Sequence, residues 1–388
     1  MSLLFRKGTP FTYFVTQSKD QYMRIAFLAD PLDRQYGGIH VYTKELIKAL
    51  SILDKKNEYI VIRSESKNEF EGIEEIVIPY SSFPGYRFWR IFFQIPRLLA
   101  KKDVDIVVEP AHFGPFNLPK NIKRVTVIHD MTVFLFPEYH VWSSQYLQRM
   151  FLPRILKKAD QIITNSKNTT EDLMKFFPYV KNKTTSILLG KDLSFKPQIN
   201  NDILLSHKIK QPYILFVGTL EPRKNVSTLI KAFDKFKDQT GLNHLLILIG
   251  KEGWKSDSIF DSIDQSPYKK EIIWLGYVPK EELPIFYSMA EVFVYPSIYE
   301  GFGLPILEAM ACGTPVITSQ ESSIPEVGGS SVSYINPNSI EQLTSQIIVL
   351  CSDSQKRKKY IQMGIKQAAN FSWEKTAKET INLFETMI

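Results

Sequence analysis

Short apolar runs rich in β-branched and aromatic residues alternate along the chain with longer stretches at helical spacing, and the alternation happens twice. In the first half the runs predict strands at Arg24–Ala29, Tyr59–Arg63, Glu75–Ile78, Val104–Glu109, Arg124–His129 and Gln161–Thr164. In the second half they predict strands at Tyr213–Gly218, His244–Gly250, Glu271–Leu275, Val292–Pro296, Pro315–Ser319 and Ser331–Ile335. Most runs are continuously apolar rather than alternating, the pattern of strands buried on both faces of a parallel sheet. Helices between them imply right-handed crossovers. The fold class is therefore α/β, with two doubly wound domains. Ligands of such sheets bind beyond the carboxyl ends of the strands, so the chemistry is expected in the loops after these runs.

A polar stretch holding Pro197, between Lys191 and Gln211, breaks the pattern and predicts the linker. The expected division is an extension at 1–22, a first domain at 23–195, a second at 211–370, and a final helix at 371–388. A length of 388 residues exceeds what one core usually serves, which fits two domains. No apolar run approaches the roughly 20 residues that span a bilayer. Arg6 and Lys7 are followed by Gly8-Thr9-Pro10, where a signal peptide would need an apolar stretch. The only two cysteines, Cys312 and Cys351, have no partners at metal-site spacing. These features predict a cytoplasmic protein without a disulfide framework. The net charge of +7 favours anionic partners without choosing among phosphates, acidic lipid and nucleic acid. No nucleic-acid-binding motif is present, so no nucleic-acid partner is expected.

Four stretches carry candidate chemistry. The first strand runs into Gln35-Tyr-Gly37-Gly38 and then a helical stretch. Gly37 and Gly38 mark either a tight turn or a phosphate seat at a helix N-terminus. Val125-Thr-Val-Ile-His129-Asp130 is a strand ending in a histidine, either satisfied by neighbouring backbone or facing the cleft. In Ile214-Leu-Phe-Val-Gly218-Thr219-Leu-Glu-Pro-Arg223-Lys224-Asn225, a buried strand and a glycine turn lead to two adjacent cations at a helix start. That placement suits the two charges of a diphosphate. The sharpest signal is Tyr-Glu300-Gly-Phe302-Gly303-Leu304-Pro305-Ile-Leu-Glu308. There a strand enters a glycine loop, Pro305 suits a first helical turn, and the amides around Phe302, Gly303 and Leu304 lack intrahelical partners.

At these residues the sequence resembles glycosyltransferase family 4, the retaining GT-B enzymes, which implies two Rossmann-like, doubly wound domains facing across a cleft. The likeness runs from about Met23 onward and includes Gly37-Gly38, His129-Asp130, Ala159-Asp160 through Ser166, Gly218 through Asn225, and the Glu300/Glu308 pair. It implies that Arg223 and Lys224 hold the donor diphosphate, with Gly218, Thr219, Gly37 and Gly38 beside it. Glu308 would hold the ribose, and backbone near Val278 would face the base. Glu300 and the Phe302–Leu304 amides would hold the donor sugar and phosphate, and His129 would approach from the opposite domain, making His129 and Glu300 the implied catalytic pair. The final helix, after Phe371-Ser-Trp373, would cross back to the first domain. Two positions depart from the family. Thr219 stands where many relatives carry arginine, and Leu189 where many carry asparagine.

The implied reaction is transfer of a hexose, mannose by leaning, from a GDP- or UDP-linked donor to a hydroxyl of a glycan or lipid-linked glycan. No further cofactor and no metal are expected, since Asp103-Val-Asp105 leads into a strand rather than following one. In the segment from Gly85 to Lys101, Arg87, Arg90, Gln94, Arg97 and Lys101 fall on one helical stripe. That stripe predicts either peripheral contact with an anionic membrane, at the inner face of the cell membrane, or a helix on the first sheet with a solvated basic face. Pro96 argues against one straight helix. A GT-B epimerase or phosphorylase, and a non-catalytic binding subunit, are the competing readings.

Overall fold

The computed structural model describes residues 22–388 apart from 35, 36, 66, 68, 112, 113, 116 and 141. The expected extension, save Tyr22, and the first half of the Gln35–Gly38 loop lie outside the described residues. Seven strands form the first sheet: β1 (Arg24–Leu28), β2 (Glu58–Arg63), β3 (Glu74–Val77), β4 (Ile106–Glu109), β5 (Lys123–Ile128), β6 (Gln161–Thr164) and β7 (Thr184–Ser186). Six form the second: β8 (Tyr213–Val217), β9 (Leu245–Ile249), β10 (Ile272–Gly276), β11 (Val292–Tyr295), β12 (Val316–Ser319) and β13 (Ser333–Ile335). Among the described residues every pairing is parallel, in the orders β3-β2-β1-β4-β5-β6-β7 and β10-β9-β8-β11-β12-β13.

The apolar runs become strands because helices cover both faces of each sheet, and β8 (YILFV) and β9 (LLILI) are buried at every residue. The twelve expected strands are present with ends shifted by a residue or two; β7 is the addition. It is a three-residue polar edge strand, too short and too polar to stand out as an apolar run. The strand order reverses between β1 and β4 and again between β8 and β11. At each reversal two neighbouring loops diverge at the carboxyl edge, which opens a crevice.

The stretch expected as linker contains a short helix, Asn201–Ser206, started by Asn200 through its side chain. The helix Trp373–Glu385 packs on Gly38–Leu53 of the first half. Its Trp373 ring meets Tyr42 edge-on at 6.3 Å, and Thr376 Oγ1 donates to Leu188 O at 2.7 Å. A Cβ on Gly190 would lie 2.1 Å from Trp373 N, so only glycine lets the two backbones touch there.

The basic stripe needs correction. Tyr86–Trp89 and Ile95–Lys101 are α-helical, with a π-turn at Arg90–Gln94 between them. Pro96 has no N–H for the carbonyl of Phe92, and Asn117 Nδ2 donates to that oxygen instead. The extra residue of the π-turn shifts the helical phase. Arg90 consequently turns inward, fully buried, donating from both terminal guanidinium nitrogens to Asp30 at 2.6 and 2.8 Å and from Nε to Ile78 O at 2.9 Å. The outward face carries aromatic rings instead: Phe88, Trp89 and Phe93 are exposed, as is Phe83 just ahead of them. Arg87, Arg97 and Lys101 remain exposed around these rings. Among the described residues, no helix is long and apolar enough to cross a membrane.

Gly190→Ala should undock the last helix and lower unfolding free energy by about 1–3 kcal/mol, the range for overpacking a tight contact. Urea denaturation followed by tryptophan fluorescence checks this; an unchanged midpoint would contradict the packing argument.

Candidate functional site

The reversal between β8 and β11 brings two loops together. After β8 the chain turns at Gly218 and enters a short 3-10 turn, Pro222–Lys224, leading into the helix Val226–Thr240. After β11 it descends through Ser297 and Tyr299 to Glu300, then reaches the helix Leu304–Ala311. The charged side chains of the two loops meet. Lys224 Nζ lies 2.6 Å from Glu300 Oε1, and Arg223 Nη1 lies 3.0 Å from Glu300 Oε2. Arg223 also pairs with Glu221 at 2.5 Å and donates to Tyr299 O. Lys224 donates to Tyr295 Oη and sits 4.9 Å from the centre of that ring. Ser297 Oγ donates to Glu300 at 2.5 Å. Two cations and two carboxylates thus compensate one another in a nearly dry place, where an unpaired charge would be costly.

The surroundings set the ionisation of each group. Burial pushes the Glu300 carboxyl up, but the Arg223 and Lys224 charges, with hydrogen bonds from Lys224 and Ser297, outweigh it and hold it at about 2. Burial and the neighbouring Arg223 lower Lys224, against the pull of Glu300 and Glu221. Arg223 is raised, because Glu300 and Glu221 outweigh its own burial. Glu308 stands apart, accepting a hydrogen bond from Tyr287 Oη at 3.1 Å. Burial pushes it up to about 7, with only that bond and the more distant Lys280 acting the other way.

The glycine-loop helix starts as its sequence requires. Gly303 is the residue before it, at φ 113° and ψ 45°, a left-handed geometry that favours glycine. No side chain caps this end, and the first amides that return into the helix, Ile306 and Leu307, bond Gly303 O. The amides of Gly303 and Leu304 precede that first bond and mark the positive end of the helix. The Phe302 ring is turned into the core against Phe371, so only its backbone belongs to the loop. Gly37 has the same role in the first half. At φ 117° it precedes the helix Gly38–Leu53, whose N-terminus likewise has no side-chain cap. Gly37 and Gly38 are exposed, and among the described residues nothing lies within 4 Å of a Cβ built on either.

His129 follows β5. Its Nε2 lies 2.7 Å from Pro110 O, which can only accept, so this nitrogen carries the proton in that contact. Its ring meets Tyr42 edge-on at 5.1 Å. The histidine is therefore held by backbone and also stands at the cleft, since a Cβ on Gly301 would fall 1.9 Å from His129 O. Gly218 is half-buried and Thr219 exposed, and the loop after β9 presses so closely that a Cβ on Gly250 would lie 2.0 Å from Gly218 O. The Val278 side chain is buried, leaving its backbone at the loop after β10. Asp105 is engaged structurally, accepting from Arg24 N at 2.8 Å.

The structure thus gathers Arg223, Lys224 and Glu300 into one cluster and sets Gly301 of the adjoining loop against His129. Sequence reasoning missed the groups that hold this cluster: Glu221, Tyr295, Ser297 and Tyr299. Glu221 was visible as the acid two places before Arg223; the others belong to strand and loop positions that read as packing. Also missed was His140, which stacks on Trp254 at 6.2 Å within electrostatic reach of Asp130, Glu221 and Arg223. Away from the cleft, His244, Glu291 and Cys351 bring ligand-type atoms within 4.8 Å of one another, a grouping hidden by their sequence separation. Glu291 there already takes His244 Nε2 at 2.5 Å and Arg357 at 3.4 Å, and burial pushes the Cys351 thiol up to about 12.

A profile described as "Glycosyl transferases group 1" matches residues 201–367, and one described as "Glycosyltransferase Family 4" matches residues 36–195. The chain is 32% identical over 384 residues to the O-antigen chain mannosyltransferase B of Escherichia coli, covering 94% of this chain and 100% of that one. It is 28% identical over 230 residues to the O-antigen chain mannosyltransferase RfbU of Salmonella typhimurium, covering 59% of this chain and 61% of that one. Among solved structures, its fold is similar to sucrose-phosphate synthase from Thermosynechococcus elongatus, with TM-score 0.75, 21% identity, and coverage of 94% of this chain and 99% of that one. Anabaena Alr3699/HepE in complex with UDP and glucose is also similar, with TM-score 0.72, 17% identity, and coverage of 94% and 100%.

The two carboxylates should leave opposite signatures in stability. Glu308 is raised in the fold, so its contribution is fully present in acid and is lost as pH rises from about 4.5 to about 7. Glu300 is depressed, so its contribution is present above about pH 4.5 and is lost as pH falls towards 2. In urea melts across this range, Glu308→Gln should flatten the decline towards neutral pH. Glu300→Gln should destabilise at pH 7 and converge on the wild type in acid. Parallel curves for all three proteins would contradict these environments.

Proposed function

The chain belongs to the group 1, family 4 glycosyltransferases, and we propose that it moves a hexose, with mannose as first choice, from a nucleoside diphosphate sugar to a hydroxyl of a glycan or lipid-linked glycan, with retention at the anomeric carbon. Its two facing sheets are the GT-B fold. The observation that carries the proposal is the Arg223–Lys224–Glu300 cluster under the glycine-turn loops at the β8/β11 crevice. Glycosyl transfer loads negative charge onto the leaving diphosphate. Arg223, Lys224 and the helix-end amides of Gly303 and Leu304 would receive that charge without reorganising, because Glu221, Glu300 and Tyr295 already hold the two cations in place. Gly37 and Gly38 at the uncapped helix of the first half, with Gly218 and Thr219, would complete the seat. Glu308 would take the ribose hydroxyls.

Retention by same-face attack is the reading supported here. Glu300 is held low at about 2 and bound to two cations, which makes it a poor base and a poorly placed nucleophile. A donor phosphate oxygen is then the group left to accept the acceptor proton, with His129 beside the sugar. Mannose is favoured because the two O-antigen relatives are named as mannosyltransferases. They also support a role in cell-surface polysaccharide synthesis. GDP is the preferred nucleotide and UDP the alternative, the latter held by a solved neighbour.

The outward aromatic face at Phe83, Phe88, Trp89 and Phe93, ringed by Arg87, Arg97 and Lys101, supports peripheral contact with an anionic bilayer at the inner face of the cell membrane. Aromatic rings suit the headgroup boundary, and the cations suit acidic lipid. This is where a lipid-linked acceptor would be found.

Thermal-shift screening against nucleoside diphosphate sugars should single out a GDP- or UDP-hexose, because donor binding raises apparent stability. Lys224→Ala should then lower transfer by about a hundredfold or more, the scale of removing a key oxyanion donor. Near-normal turnover would reject the assignment, and donor binding without turnover in the wild type would favour a binding subunit. In flotation assays the protein should rise with vesicles containing anionic lipid and not with neutral ones, and Trp89→Ser with Phe93→Ser should lose about tenfold of that binding. Equal recovery with both vesicle types would end the membrane assignment.

A further inference from the structure

We propose that Glu326 is a positioning residue, which fastens the second half onto the first and thereby sets the loop that carries Glu300. The proposal rests on the catalytic cleft described above but concerns a different side chain and a different contact. Glu326 lies on the short helix Ile324–Gly328, in the loop after β12. Its carboxylate accepts two backbone amides from the other half: Lys167 N to Oε2 at 2.8 Å and Asn168 N to Oε1 at 2.8 Å. These are the first two amides of the helix Lys167–Phe176, which follows β6. The third amide, of Thr169, goes to the capping side chain of Ser166. The first turn of that helix is therefore completed by its own N-cap and by a carboxylate 159 residues away in sequence. A carboxylate at a helix N-terminus gains both two charge-assisted bonds and the favourable dipole.

The same loop holds Glu300 from behind. Ser322 Oγ accepts from Glu300 N at 2.8 Å, while Ser323 Oγ donates to Glu300 O at 2.8 Å and Phe302 O at 3.0 Å. Ser322 is in the left-handed region at φ 53°, a conformation a serine adopts only where its surroundings fix it. Around this contact the two halves touch again. Thr169 Oγ1 reaches Gly301 O at 3.3 Å, and Tyr299 Oη donates to Asp172 at 2.8 Å. A rigid path therefore runs from the helix end in one half through Glu326, Ser323 and Ser322 to the backbone of Glu300. Donor that binds the second half alone does not need this path. Turnover, which requires both halves around the sugar, does.

The partner groups are backbone amides, and one can be deleted chemically. Lys167 is the first helical residue, where proline is tolerated, and Ser166 before it is extended at φ −156° and ψ 159°, as a residue preceding proline must be. Lys167→Pro removes one of the two amides while keeping the helix, and Lys167→Ala controls for the lost side chain. The expected result is that Glu326→Ala lowers kcat by about tenfold or more while nucleoside diphosphate affinity stays within about threefold. Glu326→Gln, which keeps one accepting oxygen, should recover part of the loss. Lys167→Pro should lower kcat severalfold while Lys167→Ala leaves it near wild type, and adding Lys167→Pro to Glu326→Ala should cost little more. Unchanged kcat in Glu326→Ala, or fully additive losses in the double variant, would overturn the proposal. Small-angle scattering keeps the test independent of the substrate assignment. The wild type should be more compact than Glu326→Ala in the presence of nucleoside diphosphate, and identical profiles would also overturn it, even if no hexose transfer were found.

Discussion

Charge at the floor of the β8/β11 crevice must balance, and most of the site follows from that requirement. Lys224 and Glu300 are almost wholly removed from solvent, and neither could stand there alone. Arg223 and Glu221 complete the balance, while Tyr295 and Ser297 supply the hydrogen bonds that a dry ion pair needs. The cluster is thus already organised before any ligand arrives. A diphosphate entering this place would meet cations whose positions are set by carboxylates, and the cost of ordering long side chains would be met by folding rather than at the moment of reaction.

The crevice is also where the two halves meet. Gly301 is pressed against His129 O, Trp254 and Lys255 donate to Tyr139 O and Glu138 O, and Lys280 reaches both Asp192 and Glu45. The last helix, seated on Gly38–Leu53, ties the end of the chain to the first half. Of these contacts, that of Gly301 with His129 O lies directly beside Glu300.

The strands were legible because a parallel sheet buries both faces, and continuous apolar runs such as Tyr213–Val217 record that demand directly. Gly37 and Gly303 were legible because left-handed backbone before a helix leaves few alternatives to glycine. The adjacency of Arg223 and Lys224 was visible, and so was the acidic spacing of Glu300 and Glu308. Their ion pairing was not, since 76 residues separate Lys224 from Glu300 and strand order alone brings them together. The stripe at 87–101 shows the opposite failure. Helical periodicity placed Arg90 outside, but the π-turn ahead of Pro96 moved it inside and left aromatic rings on the surface.

By itself, the sequence determined the α/β rhythm, the two sheets, the glycine positions and the residue types available at the strand ends. These are local matters, set by burial of strand faces, by backbone strain and by helix-end chemistry. Only the tertiary structure decided which charges meet, which carboxylate is held low and which is pushed up, and that Glu326 closes a helix end in the other half. Those outcomes depend on distance and desolvation, and both are properties of the packed chain rather than of its order.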